Sequence, residues 1–155
     1  MAKQDYLATL QTTRQSLLDA VSKADQAALT TVPISGTWTG KEVLAHLAAC
    51  EAACVAAAKQ AARGEKPTWP WDNVDGDLAN QQGVDERKDS SVGQIVAELQ
   101  ESRKQVLAEL ESWPANGGPF GESTWDENNS DIGWLGSHEQ EHAEVILALR
   151  GQPAI

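Results

Sequence analysis

The sequence predicts an all-α protein, a four-helix bundle with a long connection between the second and third helices. Four segments repeat apolar residues at helical spacing, and no segment of comparable length alternates as a strand does. A chain of 155 residues is long enough for one domain with one hydrophobic core, which we expect to span 1–155. Helices of about 20 to 27 residues pack most simply as a bundle.

The first two helices are predicted over 3–29 and 39–63. Leucines recur on one face of the first, and Pro33 excludes its continuation. The second begins with Thr39 and Glu42, whose separation of three residues is that of a capping box. Its many alanines favour close packing against another helix.

The third and fourth helices are predicted over 91–112 and 130–150. Ser91 and Gln94 repeat the capping-box spacing at the start of the third helix. Gly151 follows the fourth helix, as glycine commonly does at helix ends. Long connections precede both helices, and loops of that size in a small domain are usually functional or mobile.

The charge of the chain limits its expected partners. Its 12 Lys and Arg stand against 23 Asp and Glu, a formal net charge of −11, and no run of basic residues offsets this locally. Such a charge repels phosphate backbones and anionic lipids, so we expect no nucleic-acid and no membrane partner. A small molecule is the expected partner, and a homodimer is left open. The start of the chain has no apolar signal segment, so we expect a cytoplasmic protein.

Three histidines carry the strongest chemical signal. His138 and His142 lie four residues apart, on the helix face that also carries Val145 and Leu149, and His46 lies on the apolar side of the second helix. Three inward imidazoles on two helices are placed to hold one divalent cation with an open coordination position. The alternative is that each histidine is a hydrogen-bonded core residue.

The segment HEQEH also matches the H-E-x-x-H pattern of metallopeptidases. The extended pattern needs Gly and His where this chain has Val145 and Ala148, and no strand is predicted to hold a peptide, so we do not expect a peptidase. Glu139 remains a weak candidate for a catalytic base. It lies about 100° around the helix from His138, and a solvated surface charge is its expected role.

The two cysteines, Cys50 and Cys54, lie four residues apart on one helix face. In a reducing cytosol such thiols stay free, and small core residues are their expected role. A redox or ligand role is the alternative.

Two motifs give the chain a family resemblance. WTGKEVLAHLAACE, residues 38–51, resembles the W-[ST]-x-K-E-x-L-x-H-L signature of the DinB-like metalloenzymes, and HEQEHAEVILALRG, residues 138–151, is similar to their last-helix H-x-x-x-H-x-x-x-I pattern. The stretch between them resembles the family's short Asp/Asn-bearing element and third helix. The resemblance implies a four-helix bundle in which His46, His138 and His142 hold one divalent metal per chain: nickel, zinc, iron or manganese.

The same resemblance implies a function. DinB-like proteins include transferases and isomerases that use a low-molecular-weight thiol, and a colibactin self-protection group. We therefore expect a metal-dependent transferase, isomerase or hydrolase that acts on a small molecule, with such a thiol as a candidate co-substrate. The alternative is a non-catalytic, stress-related binding module whose metal is structural or vestigial.

Several side chains are candidates for the substrate pocket. Trp69, Trp71 and Trp125 come from the long loops, where the alternative role is to anchor those loops. Asn80 and Glu42 are polar candidates, although a turn and the helix cap are their more ordinary roles. Cys50 stands where the family commonly has an aromatic residue, which would alter one wall. As a fourth protein ligand, it would instead favour a structural metal.

Overall fold

A computed structural model describes residues 1–128 and 131–151, and this part of the chain is mostly helical, which confirms the all-α class. The described residues form six α-helices: α1 (Lys3–Lys23), α2 (Ala28–Thr31), α3 (Gly40–Ala62), α4 (Gly76–Asp85), α5 (Val92–Ser112) and α6 (Leu135–Leu147). Two short 3₁₀ helices, Gly118–Phe120 and Glu122–Trp125, lie before α6. Strands β1 (Pro33–Ser35) and β2 (Trp38–Thr39) form a small antiparallel hairpin.

The two predicted capping boxes are confirmed. At α3, the Glu42 backbone N–H donates to Thr39 Oγ1 over 3.3 Å, and the Glu42 carboxylate accepts from the Thr39 backbone over 3.2 Å. Ser91 and Gln94 make the same reciprocal pair at α5, with distances of 3.1 and 2.8 Å. Both helices therefore begin where the sequence predicts.

The first helix ends at Lys23, so its predicted extension to residue 29 is wrong. Ala24 is extended, and the Asp25 carboxylate accepts from the backbone N–H groups of Ala27 and Ala28 over 3.0 and 3.1 Å. The Asp25 backbone N–H donates to Leu149 near the end of α6. This local capping competes with continuation of the helix.

The fourth predicted helix is also shorter than expected. Ser130, its predicted first residue, lies outside the described residues, and Asp131 to Trp134 form turns before α6 begins at Leu135. The buried Tyr6 hydroxyl donates to the Ile132 carbonyl over 2.7 Å. This bond anchors the turns against α1.

The long connection contains a helix that the sequence analysis does not predict, α4. The Asp75 carboxylate caps it by accepting from the backbone N–H groups of Asp77 and Leu78. A Cβ at Gly83 would lie 2.6 Å from the Ala49 Cβ, so these small residues let α4 approach α3 closely. The segment has few apolar residues and Leu78 is exposed, which explains its weak periodicity.

The helices pack in pairs, α1 along α6 and α3 along α5. A buried ion cluster, which consists of Arg14 on α1, Glu51 on α3, Arg103 on α5 and Glu139 on α6, joins the pairs. Each member is at most 5% exposed. Arg14 Nη2 lies 2.7 Å from a carboxylate oxygen of each glutamate, and Arg103 Nη2 lies 2.9 and 3.2 Å from the same two oxygens.

The ion cluster leaves its charges well compensated. Arg14 also donates to the Leu99 carbonyl, and Arg103 donates to the Leu10 carbonyl. Glu139 accepts a further hydrogen bond from Thr13. Removing one partner of such a cluster leaves a buried charge without its counter-charge, which costs more than the intact pair contributes.

Among the described residues, no helix combines the length and the apolar composition needed to cross a membrane.

The first prediction concerns this cluster. Glu139→Ala should lower the free energy of unfolding by about 3–5 kcal/mol, because it leaves two buried guanidinium groups facing a single carboxylate. Urea unfolding of metal-free protein measures this change. The exposed neighbour Glu141 offers the control, and Glu141→Ala should stay within about 0.5 kcal/mol of wild type. Equal stability of the two variants would contradict the account.

Candidate metal centre

The fold brings the three histidines of α3 and α6 together. Nε2 of His138 lies 3.2 Å from Nε2 of His46 and 3.2 Å from Nε2 of His142. The ring planes stand nearly perpendicular, at 82° for His46 and 89° for His142 relative to His138. The sequence analysis selected these residues from helical spacing, and the structure places them in one cluster.

The separation of the nitrogen atoms fits ligands of one ion. Two imidazoles that bind the same metal at about 2.0–2.1 Å, with an angle of 90–110° between them, have their nitrogens roughly 2.9–3.4 Å apart. Both measured contacts fall in this range. Without a cation, the single Nε2 of His138 would face two other ring nitrogens, and a neutral ring nitrogen is either a donor or an acceptor. The two nitrogen contacts of His138 therefore fit ligands of one divalent metal.

The histidines are held in the form that binds metals. Burial, together with the neighbouring imidazoles of His138 and His142, lowers the pKa of His46 to about 4. Burial, followed by the charge of His142, also lowers the pKa of His138 to about 4, and burial lowers that of His142. All three are neutral at pH 7, so their lone pairs are available without loss of a proton.

Cys50 lies one turn after His46 and faces the same cluster. Its Sγ is 3.8 Å from both ring nitrogens of His46, and the donor atoms of His46, Cys50 and His138 all lie within 4.8 Å of one another. Burial raises the pKa of the Cys50 thiol to about 12. Cys54 is fully buried in the apolar core, which is the role that the sequence predicts for both cysteines.

Two tryptophans that the sequence analysis did not assign to the site flank the imidazoles. The Trp38 ring lies 5.0 Å from the ring of His46, and the Trp134 ring lies 5.5 Å from that of His138. Trp38 is held by a hydrogen bond from its indole N–H to Gln81 on α4. The signal was present in the sequence, because Trp38 opens the W-T-G-K-E motif and Trp134 lies four residues before His138.

The pocket candidates separate into three groups. Cys50, Trp71 and Asn80 line one cavity of about 300 Å³ between α3 and α4, with alanines of α3 as its floor. Trp69 stacks on Trp71 at 5.1 Å and borders a second, more open depression. Trp125 is only 2% exposed and packs against Tyr6. Its prediction as a pocket wall is therefore wrong, and it is a core residue that anchors its loop.

The two acidic candidates have other partners. Glu42 is the capping partner of Thr39. Glu139 is 1% exposed and its carboxylate lies in the ion cluster, so its expected role as a solvated surface charge is wrong. The same ion pairs direct the carboxylate toward Arg14 and Arg103, which leaves no support for Glu139 as a base at the imidazoles.

Comparison with known proteins gives the family. The model of the DinB superfamily matches residues 9–146. The chain belongs to the DinB superfamily. Among solved structures, this DinB protein is similar to the colibactin self-resistance protein ClbS, crystallised in complex with a double-stranded DNA. The two structures have a TM-score of 0.77, and the match covers 96% of this chain and 94% of ClbS. Their sequences are 12% identical, so the similarity is one of fold. No curated protein matches.

The comparison corrects one expectation. Nucleic acid was excluded as a partner from the net charge, whereas a protein of this fold is solved with duplex DNA. A net charge of −11 is a sum over the whole chain and does not fix the charge of each face. In the DinB protein, Lys41, Arg87 and Lys88 border one surface depression together with Glu42 and Asp85. The exclusion is therefore withdrawn.

The second prediction concerns pH. In metal-free protein, the folded histidines have pKa values below that of an unfolded histidine, near 6.5, so the unfolded state binds more protons as the pH falls. The free energy of unfolding should therefore fall as the pH is lowered from about 6.5 to about 4. Each histidine should contribute about 1.4 kcal/mol to this loss for each unit by which its folded pKa lies below its unfolded pKa. His46→Gln should flatten this dependence, measured by urea unfolding at a series of pH values. The exposed control Glu144→Gln should keep the wild-type slope, and an unchanged slope in His46→Gln would count against the assignment.

Proposed function

We propose that this DinB protein holds one divalent metal through His46, His138 and His142, inside a bundle made by its four long helices, and acts on a small molecule. The observation that carries the proposal is the convergence of the imidazoles at Nε2 of His138, 3.2 Å from each of the other two. Imidazole donors suit zinc, nickel and iron, and manganese is the remaining candidate.

Neutral donors matter for the chemistry. A metal held by three neutral imidazoles keeps its positive charge and supplies a Lewis acid that polarises a carbonyl group or holds a thiolate. The chain contributes the orientation of the donors and a partly dry surrounding. Trp38 and Trp134 cover two sides of the imidazoles, which limits access of water and strengthens electrostatic interactions inside.

The cavity between α3 and α4 is the proposed substrate pocket. Its volume of about 300 Å³ is at the lower end for small-molecule sites, and its wall is mostly apolar, with Asn80, Gln82, Glu86 and Arg87 as polar groups. Cys50 belongs both to this wall and to the cluster around His46. A molecule in the cavity would thus approach the imidazoles from the side of Cys50. Thiol-dependent transfer or isomerisation is the reaction class we propose, on the resemblance to such enzymes.

A second candidate function is binding of duplex DNA, which one observation favours: ClbS, a protein of this fold, is solved in complex with it. A fluorescent duplex titrated with the protein at low salt tests this candidate. A saturable rise in anisotropy that weakens with added salt supports it, because phosphate contacts release counterions. No rise at low salt would remove it.

The third prediction concerns metal content. Protein purified without an affinity tag should carry about one divalent metal ion per chain, measured by inductively coupled plasma mass spectrometry. His46→Ala, His138→Ala and His142→Ala should each lower the bound metal at least tenfold, since each removes a donor. Glu144→Ala, an exposed change on the same helix, is the control and should keep full occupancy. Stoichiometric metal in a variant lacking all three imidazoles would contradict the proposal.

A further inference from the structure

We propose that Cys50 is a fourth metal donor in the resting protein, and that it is the donor which a ligand arriving from the α3/α4 cavity replaces. This inference rests on the proposed function for the presence of the metal. It adds a donor that the three-histidine pattern does not contain.

The first support is the position of the thiol relative to the imidazoles. Sγ lies 3.8 Å from both ring nitrogens of His46 and within 4.8 Å of a ring nitrogen of His138. A sulfur at about 2.3 Å and a nitrogen at about 2.0–2.1 Å on one zinc ion, at an angle near 110–120°, lie roughly 3.6–3.8 Å apart. The observed separation from His46 is at the upper end of this range. The separation from His138 is within 4.8 Å, so binding needs a movement of Sγ toward the imidazoles.

The second support is the contrast with Cys54. Both thiols are buried on the same helix, four residues apart, and both have the same intrinsic chemistry. Cys54 packs with apolar side chains of the core cluster around Tyr6 and Leu10. Cys50 alone of the two faces the imidazoles. The chain therefore carries its own matched control for a thiol ligand.

The third support is the cavity. Cys50 lines it together with Trp71 and Asn80, and its Sγ lies 3.8 Å from the ring of His46, which does not line the cavity. An incoming ligand from that side meets sulfur before it meets the imidazoles. The position of Sγ in Cys50 depends on one rotatable bond, Cα–Cβ, so a change of χ1 is enough to move Sγ away from its neighbours.

The chemical step is balanced without another reactant. When the metal binds, the S–H bond of Cys50 breaks, an S–metal bond forms and the proton goes to solvent. If a ligand replaced the thiolate, the S–metal bond would break, Cys50 would take a proton from solvent and the ligand's donor atom would take its place. Three imidazoles and one thiolate would complete a set of four donors, so release of Cys50 would free the position that an incoming ligand needs.

Cobalt(II) is the probe for this proposal. The full chain, loaded with cobalt alone, should show the intense near-ultraviolet charge-transfer absorption of a thiolate–cobalt bond. Cys50→Ser should lose this band and keep cobalt, held by the imidazoles, whereas Cys54→Ser should keep both. Titration of the wild-type protein with azide should then abolish the thiolate band as azide replaces sulfur.

The outcomes separate this proposal from the proposed function. Cobalt bound without a thiolate band, or a band that survives in Cys50→Ser, overturns the cysteine ligand and leaves the three-histidine site standing. Absence of cobalt binding overturns the metal site itself. A thiolate band that persists at saturating azide overturns the exchange, and it makes the metal structural rather than catalytic.

Discussion

The arrangement of the site depends on the buried cluster of two arginines and two glutamates. Glu51 directly follows Cys50 on α3, and Glu139 directly follows His138 on α6. Because consecutive residues point about 100° apart on a helix, fixing each glutamate on Arg14 and Arg103 fixes the rotation of its helix about its own axis. The neighbouring face of each helix, which carries the proposed metal donors, is thereby turned toward the other.

This arrangement separates two polar environments inside a small core. In the ion cluster, two guanidinium groups are paired with two carboxylates, so the buried charges are compensated and add little net stability. The imidazole cluster is compensated less well: among the described residues, Nδ1 of His138 is buried and has no hydrogen-bond partner. A cation at the Nε2 side would offset the cost of crowding three imidazoles in a medium of low dielectric constant. The fold thus holds its donors in place before any ion binds.

Helical periodicity predicted the all-α class and the inward faces that carry His46, His138 and His142, because a residue spacing of four fixes which side chains share a face. The separation of three residues between each cap and its partner predicted both capping boxes. Periodicity failed where local capping or tertiary contacts decide. Asp25 ends α1 early, and α4 depends on close contact between Gly83 and Ala49 rather than on an apolar stripe. Glu139 was misplaced because a lone glutamate beside a histidine gives no sign of the arginines, 36 and 125 residues away, that bury it. Trp38 and Trp134 were not predicted to flank the imidazoles, whereas Trp69, Trp71 and Trp125 were predicted to line the pocket because they lie in the long loops.

The most direct test of the account is a crystal structure of the zinc-loaded protein with anomalous scattering data collected on both sides of the zinc absorption edge. The account predicts one anomalous peak per chain, at roughly 2.0–2.1 Å from Nε2 of His46, His138 and His142. The contradicting result is a zinc-soaked crystal that shows no anomalous peak among these nitrogens while Nε2 of His138 stays 3.2 Å from Nε2 of His46 and of His142. It would show that the imidazoles only form hydrogen bonds with one another. That result would contradict the metal centre.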